Sequence, residues 1–477
     1  MIFNSFDFLW LFPIIFCVYY LVTGSKNIVE KYPQIGNFLL LAISYAIYIK
    51  WQPVYALFLL GITIVTYIAA LFIEKSSSTL NKKHILLTGI VLALLPLLIF
   101  KYFDFLSASL ASILGLIGLS VGLPGLNLAL PLGISFFTLQ AVGYLADVYL
   151  QRIKAEHNWW HYMLFVSFFP QIASGPISKA SCLLPQIKKN RVFNYSKAVQ
   201  GLRWLLWGMF LKVVVADRIG CSIDSFNGTL QYESGLMNFM VAVFYSFQIY
   251  SDFAGYSFMA VGVGELLGFE LINNFNRPYL SQSITEFWHR WHISLSVWLR
   301  DYIYIPLGGN RCSKQRNYLN ILTTFLISGL WHGANWTFVA WGGLHGLFQI
   351  FEKMTGLNNK SHHGVKKMIR IIINFFLVSF AWIFFRQSSF ERAWNQILCI
   401  FTNSNTTLNF TSEALFYMAF GIAAVTTKDI ADEYKIKYLD AFHSPYKLVR
   451  WATYIILLSC ILLMGVLDTS QFIYINF

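Results

Sequence analysis

Four of the ten histidines in this 477-residue chain fall between Ser281 and Gly346, three of them directly after a tryptophan. The pairs are Trp288-His289, Trp291-His292 and Trp331-His332, and His345 follows in a Trp-Gly-Gly-Leu-His-Gly run. Much of the window is apolar enough to enter a bilayer, where ionisable side chains are expensive to keep and mark function. Imidazole titrates near neutrality, so it suits removal of a proton from a weak nucleophile such as an alcohol. The chemistry of the chain is therefore expected in segment 281–346.

Glu286 and Arg290 stand four apart, and His289 and His292 three apart, so on a continuous helix each pair shares a face. With Ser294, Ser296 and Arg300 they would form a polar stripe lining a cavity. The competing reading is an interfacial helix that turns Trp and His toward lipid headgroups. His289-x-x-His292 could supply half of a metal site, but a zinc centre needs three or four ligands. There is no H-E-x-x-H and no evident carboxylate partner, so no metal is expected. The double histidine in Ser361-His362-His363-Gly364 reads as a solvated basic loop.

The elements that must position these residues are membrane helices. The chain is 57% hydrophobic and 12% charged, against roughly 25% charged in soluble domains. Apolar runs recur from Phe6 to Val466 without a polar linker, so residues 1–477 are expected to form a single domain of roughly 11–13 membrane-embedded helices. The alternating ten-residue pattern of an outer-membrane barrel is absent. A net charge of +13 could suggest nucleic acid, but the basic residues sit in connectors, as positive-inside loops do, and no nucleic-acid partner is expected. Six scattered cysteines suggest neither a disulfide framework nor a zinc ribbon. The opening run has Asp7 and no basic region or cleavage site, and reads as a retained first helix.

Charged connectors orient the chain. Segments 178–198 and 353–370 each hold five Lys or Arg and no acid, and segment 299–317 holds four against Asp301. All three are expected on the cytoplasmic side. Asn317 and Lys353 then share a side, and the segments between them form an in-and-out pair with His332 near its turn. Fifteen helical residues from Asn317 rise only ~22 Å, short of a ~30 Å hydrocarbon core, so His332 should be buried. His292, eight residues before Arg300, should lie ~12 Å in if that stretch is an upright helix.

Several motifs resemble the membrane-bound O-acyltransferase family. They include Ser251-Asp252-Phe253-Ala254-Gly255, Asn274-Phe275-Asn276-Arg277-Pro278-Tyr279 and Arg290-Trp291-His292-Ile293-Ser294. Ile305-Pro306-Leu307-Gly308-Gly309-Asn310-Arg311 and Gly329-Leu330-Trp331-His332-Gly333 follow, and the resemblance reaches from Met1 to about Lys353. The branch is that of bacterial alginate O-acetylation. The resemblance implies a ring of helices around a central tunnel in the bacterial inner membrane. It also implies catalytic roles at His332 and His292, and none at His289.

On that basis His332 is expected to be the general base or acyl relay, with His292 orienting it or the acyl carbonyl. A developing oxyanion needs preorganised donors. His292, Asn335 or a tryptophan N–H are candidates, and Trp331, Asn335, Trp291, Arg290 and Ser294 are expected to contact substrate. The implied donor is acetyl-CoA from the cytoplasm, with no bound cofactor. The implied partners are the lipid bilayer, a polysaccharide acceptor and a separate extracytoplasmic SGNH-type acetyltransferase. Alternatives are D-alanyl transfer to teichoic acid-type polymers, or a non-enzymatic transporter whose permeation path the stripe would line.

Overall fold

The computed structural model describes residues 3–120, 122–172, 175–357 and 362–466. Among these the regular elements are helices, with no strand. Seven helices among the described residues are long and apolar enough to cross a membrane, from Phe6–Gly24 to Lys447–Met464. The chain is thus an all-α, multi-pass membrane protein. Shorter apolar helices such as Ile35–Trp51 join them. The described residues pack as two compact units, 3–201 with 263–272 and 202–262 with 273–466.

In the first unit, apolar helices are tied by buried polar pairs, which in lipid do work that apolar contact alone cannot. Thr66 Oγ1 and Tyr162 Oη lie 2.7 Å apart, and Gln140 Nε2 donates to the Phe165 carbonyl at 2.6 Å. The glycine- and proline-broken stretch after Phe103 ends its helix at Leu116, and the next begins at Ile134. Gly133, at φ 71°, supplies the left-handed turn before it.

The second unit carries segment 281–346. Lys212, within the π-helical stretch Phe210–Ala216, is buried between Asp217 at 2.6 Å and Asp252 at 2.7 Å. A charge inside an apolar run is kept there by its counterions. Helices Lys314–His332 and Trp336–Thr355 form an antiparallel hairpin whose four ends are all marked by sequence. The Ser313 hydroxyl accepts from the Arg316 N–H and Gly333 follows the first helix. Asn335 accepts from the Thr337 N–H, and Gly356 at φ 67° closes the second. The helices touch at their backbones: a Cβ on Gly342 would lie 3.2 Å from Gly329 Cα and against the Phe325 carbonyl. Lys353 Nζ donates to Asn317 Oδ1, so these residues share one end of the hairpin, as the loop charges require.

Candidate functional site

His332 is the last residue of its helix, and His292 sits in a break between the short helices Ile284–Arg290 and Ile293–Leu299. The fold brings their rings to 6.2 Å between centroids. Both are buried, at 2% and 0% exposure. The Trp331 indole packs beside both, 4.9 Å from the His332 ring and 5.9 Å from that of His292. Trp341 at 5.0 Å and Phe385 at 5.4 Å meet His332 edge-on, and Phe253 meets His292 at 4.6 Å. Phe253 directly follows Asp252 of the buried charge triad.

The break at His292 corrects the continuous helix expected from the apolar pattern. His292 has φ 43° and ψ 53°, the left-handed region, which costs a non-glycine residue ~1–2 kcal/mol. Asn274 holds it there. Its carbonyl accepts from Ile293 N and its Oδ1 from Ser294 N, each at 3.0 Å. Two residues on, Asn276 N donates to the Arg290 carbonyl at 2.9 Å. His289 and His292 therefore do not share a helix face. His289 is exposed on the first short helix, whereas His292 is fully buried.

A cavity of about 680 Å³ lies against the short helices and the hairpin. Arg300, Tyr304, Asn310 and Lys353 line it near the basic loops, and Trp288, Ile293, Phe325 and Ser328 line its deeper part. Neither His292 nor His332 lines it. They stand just beyond its inner end, His292 one residue before Ile293 and His332 one helical turn after Ser328.

The remaining expected site residues are placed unevenly. Trp331 and Ser294 lie with the histidines, and Ser294 is buried. Trp291 points into an aromatic cluster, stacked on Phe287 at 5.4 Å and 5.1 Å from Trp382. The Arg290 guanidinium is held by both oxygens of Glu433, at 2.9 and 3.0 Å, and by Glu286 at 2.7 Å. The Asn335 side chain caps the second hairpin helix and donates to the Ser388 carbonyl at 2.8 Å. Asn274, Phe253, Trp341 and Phe385 were not singled out from sequence, although Phe253 and Asn274 both stand in motifs that resemble the family.

The membrane-bound O-acyltransferase family model matches residues 43–391. The chain is 38% identical over 403 residues to a Pseudomonas aeruginosa protein named "Probable alginate O-acetylase AlgI", covering 84% of this chain and 75% of that one. It is 36% identical over 422 residues to the peptidoglycan O-acetyltransferase of Helicobacter pylori, covering 82% of this chain and 78% of the relative. The teichoic acid D-alanyltransferase of Bacillus subtilis is 26% identical over 329 residues, covering 65% of this chain and 80% of the relative.

Proposed function

Because the chain belongs to the membrane-bound O-acyltransferase family, and is an O-acyltransferase, we propose that it moves acetyl groups from cytoplasmic acetyl-CoA toward the hydroxyls of an extracytoplasmic polysaccharide. In this reading it works in the bacterial cytoplasmic membrane, and a separate SGNH-type acetyltransferase outside the membrane completes the transfer. The observation that carries the proposal is the placement of the two buried histidines just beyond the inner end of a cavity whose other end holds Arg300 and Lys353.

The cationic end suits the phosphates of the donor, which leaves the thioester arm to reach inward. Attack by a hydroxyl oxygen, the first to take the acetyl group on its way to the polysaccharide, on the thioester carbonyl carbon forms the C–O bond and breaks the C–S bond. His332 takes the hydroxyl proton and returns it to the departing thiolate, so CoA leaves as the free thiol. His292, 6.2 Å away between ring centroids, orients that ring or the acyl carbonyl. The aromatic wall around the pair excludes water, which would otherwise compete as the acceptor.

The relatives named for O-acetylation of alginate and of peptidoglycan support a polymeric acceptor. They are more similar to this chain than the D-alanyltransferase is, which favours acetyl over D-alanyl. The test is His332→Ala in cells. O-acetylation of surface polysaccharide should fall to background while the protein reaches the membrane at its usual level. Undiminished acetylation would overturn the assignment. A product that forms without acyl donor, driven by an ion gradient, would instead support transport.

A further inference from the structure

Ser328 lines the cavity one helical turn before His332 and is 1% exposed. Its hydroxyl has no hydrogen-bond partner among the described residues. Buried hydroxyls on these helices ordinarily satisfy themselves on the carbonyl four residues back. Thr324, one turn earlier and lining the same cavity, donates to the Asn320 carbonyl at 2.7 Å. Ser44, Thr63 and Ser246 do likewise, at 2.8, 2.7 and 3.0 Å. Thr138, Ser251, Ser257 and Thr337 also carry buried hydroxyls without a partner among the described residues, and Ser328 is set apart from them by lining the cavity.

A buried polar group without a partner is destabilising, and its presence in a folded chain calls for an explanation. The surroundings define what would satisfy it. Trp288, Ile293 and Phe325 are apolar or nearly so, and the cations of the cavity, Arg300 and Lys353, belong to its other end. With the Thr324 hydroxyl committed to the Asn320 carbonyl and no Lys or Arg between Thr324 and His332, the Ser328 hydroxyl suits a neutral acceptor and not an anion. In a low-dielectric pocket one such bond is strong and directional.

We infer that Ser328 donates a hydrogen bond to the carbonyl oxygen of the donor's acyl thioester, holding the acyl carbon next to His332. This rests on the reading of the cavity as the donor chamber. The bond would both position the thioester and stabilise the oxygen as charge develops on it. It also gives the site a means of telling a loaded donor from one that carries no carbonyl at the same place.

The test is equilibrium binding of acetyl-CoA and of S-ethyl-CoA, a thioether that lacks the carbonyl, to the purified full chain in detergent. The unaltered protein should prefer acetyl-CoA by about three- to tenfold, the worth of one neutral hydrogen bond. Ser328→Ala removes a single oxygen and should bind both ligands with the affinity the unaltered protein shows for S-ethyl-CoA. A preference that survives in Ser328→Ala overturns the inference, as does an unaltered protein that binds both ligands equally. An unaltered protein that binds neither overturns the donor-chamber reading itself, and this inference with it.

Discussion

Trp288 donates its indole N–H to Nδ1 of His345 at 3.3 Å, with both side chains buried. Because Nδ1 accepts, the proton of the neutral imidazole is on Nε2. The bond joins the short helix Ile284–Arg290 to the second helix of the hairpin. Glu352 makes a second joint between the same elements, its carboxylate accepting from Ile284 N at 2.6 Å and Thr285 N at 3.0 Å. His345 is thus a fastening for the cavity wall that Trp288 forms.

Removing that acceptor leaves the indole N–H buried and unpaired. His345→Ala is expected to destabilise the protein by ~1–3 kcal/mol, read from thermal unfolding in detergent. Trp288→Phe keeps an aromatic ring, though a smaller one, and loses the bond. In the double variant the two losses should not add, with a coupling of about 1 kcal/mol. Strict additivity would show that the bond contributes nothing.

The backbone at His292 makes a second expectation, independent of imidazole chemistry. At φ 43° a Cβ is strained and a glycine is not. His292→Gly should therefore be more stable than His292→Ala by roughly 1 kcal/mol, while both lose acetyl transfer. Asn274→Ala leaves His292 in the chain and frees the segment that holds it. Its transfer rate should fall by about 10², the penalty for misplacing a reacting group by ~1 Å. Equal melting temperatures for the Gly and Ala variants would contradict the strained geometry.

Arg290 offers a test of whether a charged residue in a candidate site meets the substrate or the scaffold. Its guanidinium is fully engaged with Glu433 and Glu286, and lysine cannot reproduce the two-pronged bond to Glu433. Arg290→Lys and Glu433→Gln should each lower stability by about 1.5–3 kcal/mol and leave the KM for the acyl donor unchanged. A tenfold rise in KM for Arg290→Lys, with unchanged melting temperature, would put the residue on the substrate.

The membrane helices were readable because apolar runs and basic connectors follow directly from the cost of placing charge in hydrocarbon. The hairpin from Lys314 to Thr355 was readable for the same reason, down to the shared end of Asn317 and Lys353. His332 and His292 stood out as ionisable residues in apolar sequence, and the structure brings them together. The break at Trp291–His292 was hidden because the apolar and aromatic pattern continues across it. What opens it is Asn274, eighteen residues upstream, and a bond between distant segments leaves no local periodicity. The bond from Arg290 to Glu433 was hidden because the two lie 143 residues apart. Lys212 was hidden inside an apolar run for the same reason in part, since one of its two counterions, Asp252, is on another helix.

The latch between Asn317 and Lys353 also makes the hairpin a gauge. With that end pinned and the backbones in contact at Gly329 and Gly342, the depth of His332 is set by counting residues. Each residue inserted between Asn317 and His332 would raise the imidazole ~1.5 Å and swing it by ~100°. Three or four insertions would restore the direction of the ring but leave it a full turn too far from the cavity. Chain length in this stretch is therefore as much a part of the site as any side chain, and no substitution can repair an error in it.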